Sequence, residues 1–161
     1  MKNKLLYGFV ALLVVAGATG CGKAKVEDKT LSIVCTSEKE TSDGFESQVE
    51  ATYNFDDNQY ATDFTVTSTQ KFDDKSVYDV FKAAQEETAK DTSEENVTYD
   101  LKTNDETMTL VFTMTVKNIN VNDAETEEEK ESLKASSVLK SVETEEGYAC
   151  KVNGIDRSEL K

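Results

Sequence analysis

Several short stretches of this chain carry residue types at spacings that could do chemistry, and each makes its own demand on its surroundings. Gly17, Gly22 and Lys23 follow the G-x-x-x-x-G-K pattern of a phosphate-binding loop, in which backbone N–H groups cradle the phosphates and a following Ser or Thr holds Mg²⁺. That last position is Ala24, and "KVEDKTLSIV" beyond it has no apolar helical stripe for a nucleotide fold to bury. Ser137 and Lys140 in "SVLK" match the S-x-x-K nucleophile and base of penicillin-binding proteins, but the S-D-N and K-T-G companions are missing. A solvent-facing helix surface accounts for the match. Asn118, Asn120, Asn122, Ala124, Thr126 and Glu129 stand at positions 1, 3, 5, 7, 9 and 12 of an EF-hand-like loop. Its first position is usually Asp and its sixth Gly. Here the sixth is Asp123, which a helix cap explains with fewer assumptions, so Asn118, Asn120, Asn122, Thr126 and Glu129 are a weak calcium candidate. The 32 Asp and Glu residues offer carboxylate pairs for glycoside hydrolysis. Yet the chain has no Trp for a sugar platform and no His, the commonest general base and metal ligand. No catalytic set and no cofactor are expected.

The neighbours of Cys21 suggest a different chemistry. Lys2 and Lys4 precede the apolar run "LLYGFVALLVVAGA", which ends in the small residues Ala18, Thr19 and Gly20. A charged start, an apolar middle and a small-residue exit are the anatomy of an export signal. Small residues directly before a cysteine resemble the bacterial lipobox, although Leu is usual where Ala18 stands. Residues 1–20 are therefore expected to leave as a signal peptide, with Cys21 alkylated by diacylglycerol. Two acyl chains such as palmitate supply the anchoring that one chain cannot. An ordinary secretory signal is the alternative, and cleavage after Gly20 would cut the phosphate-loop match in two.

Loss of Lys2 and Lys4 would move the net charge from −14 to −16. So acidic a chain is repelled by nucleic acid and by anionic headgroups. Assigning Cys21 to lipid leaves Cys35 and Cys150, an even pair in an exported protein, where a disulfide is permitted. Two buried free thiols are the alternative.

These residues must be positioned by the elements that the periodicity implies. Residues 21–29 read as a lipidated N-terminus and polar tether, and 30–161 as one extracytoplasmic domain. Leu31, Ile33 and Cys35 alternate as a first strand, and Phe45, Val49, Ala51, Tyr53 and Phe55 share a face of the next, with Ser47 the polar exception. After a turn at 56–59, Tyr60, Phe64, Val66 and Phe72 share a face of the return strand. The period then changes: Val77, Val80, Phe81, Ala84 and Thr88 fall on one side of a helix that Asp73 or Asp74 can cap. A second hairpin alternates through Val97, Tyr99 and Leu101, turns at Asn104 and Asp105, and returns through Met108, Leu110, Phe112, Met114 and Val116. Threonines between them mark a wet outer face, as in an antiparallel sheet covered on one side. Residues 123–142 look helical, capped by Asp123, and either break near 135–137 or form one long helix. Tyr148, Cys150 and Val152 alternate as a last strand with Cys150 inward, as Cys35 is. The fold class is thus α+β: one antiparallel sheet of five to six strands, with two hairpins and helices on one face.

The lipobox, the first strand with its cysteine ("LSIVCTSEKETSDG") and a closing "EEGYACK" together resemble small lipoproteins of Gram-positive bacteria, among them the YehR-like group. The resemblance implies a lipidated Cys21 and a Cys35–Cys150 bridge, and no active-site residues. The expected function is a non-enzymatic, lipid-anchored binding or interaction module on the extracytoplasmic face of the cell membrane, partnered by an envelope component and not by nucleic acid. An accessory or inhibitory lipoprotein acting on a membrane or cell-wall enzyme is the alternative, with a small carboxylate hydrolase behind it.

Overall fold

The computed structural model describes residues 30–42, 44–90, 94–145 and 147–161. The leader, Cys21 and the tether lie outside the described residues. Among the described residues seven strands form one open antiparallel sheet: β1 (Ser32–Ser37), β2 (Glu40–Ser42), β3 (Phe45–Phe55), β4 (Ala61–Phe72), β5 (Val97–Asn104), β6 (Thr109–Val116) and β7 (Tyr148–Asn153). Six run in the order β5-β6-β4-β3-β1-β7, and the short β2 pairs with β3 beside that path. Among the described residues the α-helices are α1 (Lys75–Thr88), α2 (Glu127–Ser132) and α3 (Ala135–Glu143).

The alternation read from the sequence becomes rows of side chains across the sheet. Register places Cys150 beside Cys35, Cys35 beside Ala51, Ala51 beside Val66, and Val66 beside Met114. Ile33, Tyr53, Phe64 and Val116 form the adjacent row. Apart from the half-buried Cys150 these residues are buried, in one cluster with Ala135, Val138, Leu139 and Val142 of α3. A smaller cluster of Phe72, Leu110 and Tyr78 lies beneath α1. On the outer face, threonine hydroxyls pair across strands, Thr65 with Thr115 and Thr67 with Thr113, each at 3.2 Å.

Four expectations need correction. Tyr60 does not share the inward face. Asn54 pairs with Asp63 but Phe55 with Ala61, so β4 carries an extra residue at Thr62 and the parity flips. Ala61 takes the buried place and Tyr60 is half-exposed.

The helix at 75–88 forms and Asp74 caps it, accepting from the Ser76 and Val77 N–H groups. However, its buried residue is Tyr78, while Val77 (44%) and Val80 (69%) stay exposed and Phe81 (42%) is only partly covered, its ring centroid 5.1 Å from that of Phe72. The helix is rolled by a polar anchor. Tyr78 donates to Asp105 Oδ1 at 2.5 Å, and Lys82 donates to the same oxygen at 2.7 Å.

The helical stretch at 123–142 breaks at Leu133–Lys134, earlier than 135–137. The backbone there serves the β3–β4 turn: Ala61 N–H donates to Leu133 O, and Ala135 N–H to Gln59 O. Asp123 does not cap α2 but sits inside a 3-10 turn, and Thr126 is the cap.

Candidate functional site

The sheet's inner face is not covered evenly. Between α2–α3 and the sheet lies a cleft of about 500 Å³. Its floor is Tyr53 and Phe64 from β3 and β4, with Ala61, Ile119, Leu133 and Val138. Its wall follows from helical spacing: Ser137, Ser141 and Thr144 at i, i+4 and i+7 stand on one side of α3, continuing past its end. Ser132 comes from α2, and Glu128, Glu129 and Glu145 also line the space. The size falls within the range of small-molecule sites, which pair an apolar floor with a few polar groups.

The polar groups of the cleft are set by local bonds. Ser141 Oγ donates to Val138 O at 2.9 Å, Thr144 Oγ1 to Ser141 O at 2.7 Å, and Ser132 Oγ to Glu129 O at 2.6 Å. Each hydroxyl has spent its proton on its own helix and turns lone pairs outward. Glu129 closes a capping box, accepting from the N–H groups of Glu125 and Thr126 while Thr126 Oγ1 accepts from Glu129 N–H. Tyr53 is only 4% exposed. Burial first, then the neighbouring Tyr148, push its phenol up to about 12, so it stays protonated and able to donate.

The residues singled out by sequence fall in four places. Cys21, with Gly17, Gly22 and Lys23, lies outside the described residues. Cys35 and Cys150 form a disulfide with S–S 2.08 Å, joining β1 to the edge strand β7 in direct register. The calcium candidate resolves into local turns. Asn118 has a positive φ of 57°, Asn120 accepts from Asn122 N–H at 3.1 Å, and Thr126 and Glu129 are engaged in the α2 cap. Among the described residues no group of three or more His, Cys, Asp or Glu could hold a metal ion. Ser137 lines the cleft, Lys140 is exposed on α3, and no hydrogen bond among the described residues joins them. The cleft itself was missed from the sequence, although the hydroxyl spacing at 137, 141 and 144 was a usable signal.

No protein-family model matches the chain, and no curated protein matches it. An NMR structure of a protein from Streptococcus pneumoniae TIGR4 is similar at 15% identity, with a TM-score of 0.45, over 85% of this chain and 94% of that one. The fold and the site together define an α+β protein with an open antiparallel sheet and a one-sided cleft. Among the described residues no helix is long and apolar enough to cross a membrane.

Proposed function

We propose that this protein is a lipid-anchored binding module on the extracytoplasmic face of a bacterial membrane, whose cleft beneath α2–α3 takes a small ligand. The observation that carries the reading is the cleft: an open space over a well-packed sheet, floored by Tyr53 and Phe64 and edged with hydroxyls. A domain that packs Ile33, Cys35 and Ala51 to near-complete burial has the side chains to fill such a space and leaves it open. The anchor rests on the leader and Cys21, and the Cys35–Cys150 bridge is consistent with export. Native mass spectrometry of protein released gently from its own membranes tests both parts. A chain beginning at diacylglyceryl-Cys21 and carrying a non-covalent small molecule is expected, with the small molecule lost from Ser141→Trp, which fills the cleft. A chain that carries nothing in either form would contradict the binding role.

A second reading, an accessory protein that docks on a membrane or cell-wall enzyme, is favoured by the exposed Val77, Val80 and Phe81 on α1. It makes the opposite prediction: Val80→Glu abolishes activity in cells and Ser141→Trp does not.

A further inference from the structure

We infer that the ligand of this cleft is a cationic amphiphile, an apolar body ending in an ammonium or guanidinium group; the inference rests on the binding role proposed above. Three observations converge on it.

The first is the balance of donors and acceptors. Ser132, Ser141 and Thr144 have committed their protons to backbone carbonyls and offer only lone pairs. Donors from the lining side chains are confined to Ser137 and Tyr53. Tyr53 is 4% exposed, and it is among the residues that line the cleft. A ligand that fits such a wall must donate more hydrogen bonds than it accepts.

The second is charge. Among the described residues no Lys or Arg lines the cleft, whereas three glutamates do. One carboxylate oxygen of Glu129 is already engaged by two backbone N–H donors. The carboxylates of Glu128, in α2, and Glu145, just past the end of α3, make no ion pair or hydrogen bond among the described residues, and both residues are exposed. An anionic ligand would meet repulsion and no compensating donor set; a cation meets two free carboxylates.

The third is the floor. Tyr53 and Phe64 stand as a cross-strand pair with ring centroids 5.8 Å apart, flanked by Leu133 and Val138. This surface rewards an apolar body, and the rings' faces add attraction for a cation that reaches them. A purely hydrophilic cation would leave it wet.

The test compares three probes of equal chain length, octylammonium, octanol and octanoate, on the full chain in nanodiscs of zwitterionic lipid. The readout is the methyl resonances of Ile119, Leu133 and Val138. Octylammonium is expected to shift them with an affinity about tenfold above octanol, and octanoate to bind weakest. Glu128→Gln with Glu145→Gln should erase the preference for octylammonium while octanol binding persists, which also shows that the variant is folded. Octylammonium and octanol binding alike would overturn the cationic class and leave the binding role intact. No response to any probe would overturn both.

Discussion

At the residue scale, single side chains show where the folded state is under tension. Ser47 lies on the inner face, 2% exposed, and its Oγ has no hydrogen-bond partner among the described residues. A buried hydroxyl without a partner costs about 1–3 kcal/mol. Ser47→Ala is therefore expected to stabilise the chain by about 1 kcal/mol, read as a higher urea midpoint at unchanged m-value. Gly154 is the opposite case. Its φ is +95°, and a Cβ there would meet Thr30 O at 2.9 Å, a backbone atom that cannot swing aside. Gly154→Ala should cost more than about 2 kcal/mol, seen in the same titration. Tyr53 supplies a pH signature. With its folded pKa raised, the neutral phenol contributes stability that is complete below the ordinary tyrosine value and is lost as pH rises towards about 12. Spectrophotometric titration should find this phenol ionising after exposed tyrosines. Ser47 was legible as a polar interruption of its strand. Gly154 was not, because only the tertiary approach of residue 30 makes it special.

At the element scale, α1 shows where periodicity misleads. The stripe Val77, Val80, Phe81 and Ala84 has the spacing of a packed face, but two side chains outside it decide the roll of the helix. Tyr78 fills the pocket between Phe72 and Leu110 and reaches Asp105, and Lys82 reaches the same carboxylate. Hydrogen bonds from Lys82 and then Tyr78 hold the Asp105 carboxyl below its usual range. A depressed carboxylate contributes stability above its unfolded value and loses it as pH falls through the folded one. The docking of α1 should therefore survive to lower pH than an ordinary carboxylate would allow, then loosen. Asp105→Asn should flatten that acid transition in near-ultraviolet circular dichroism of the tyrosines. Tyr78→Ala is expected to cost about 3–5 kcal/mol, whereas Val80→Lys stays within about 0.5 kcal/mol. The strands were read more faithfully than the helices because a period of two with one wet face leaves little choice of roll. The exception, Tyr60, arose where a bulge changed the parity, which no local pattern announces. The break at Leu133–Lys134 was legible only as one of two options and a few residues late, since its place is set by the backbone of residues 59–61.

At the scale of the whole molecule, three ties hold distant parts of the chain together. The disulfide spans 115 residues and fixes edge β7 to β1. In the chain-entropy view its loss costs up to about 4–5 kcal/mol, so Cys35→Ala with Cys150→Ala should lower the urea midpoint and free β7 first, as faster amide exchange at 148–153. Gln59 clamps the C-terminal segment, donating from Nε2 to Glu159 O and accepting from Lys161 N–H. Ser136 Oγ completes that clamp by donating to Lys161 O. The sheet, its cysteine pair and its one-sided helices could be read from alternation. The cleft left only the hydroxyl spacing at 137, 141 and 144 as a trace, because it is a gap between elements, set by how far α2–α3 stand from the sheet. Its occupancy in the living cell is the central claim, and one measurement addresses it directly: a photoreactive benzoylphenylalanine replacing Thr144 at the exposed edge of the cleft, irradiated in intact cells and followed by intact mass. The account predicts a chain starting at lipidated Cys21 with one added mass of drug-like size, about 1 kDa or less, and none when the same group replaces Val34 on the outer face. Equal labelling at both positions, or none at either, would contradict it.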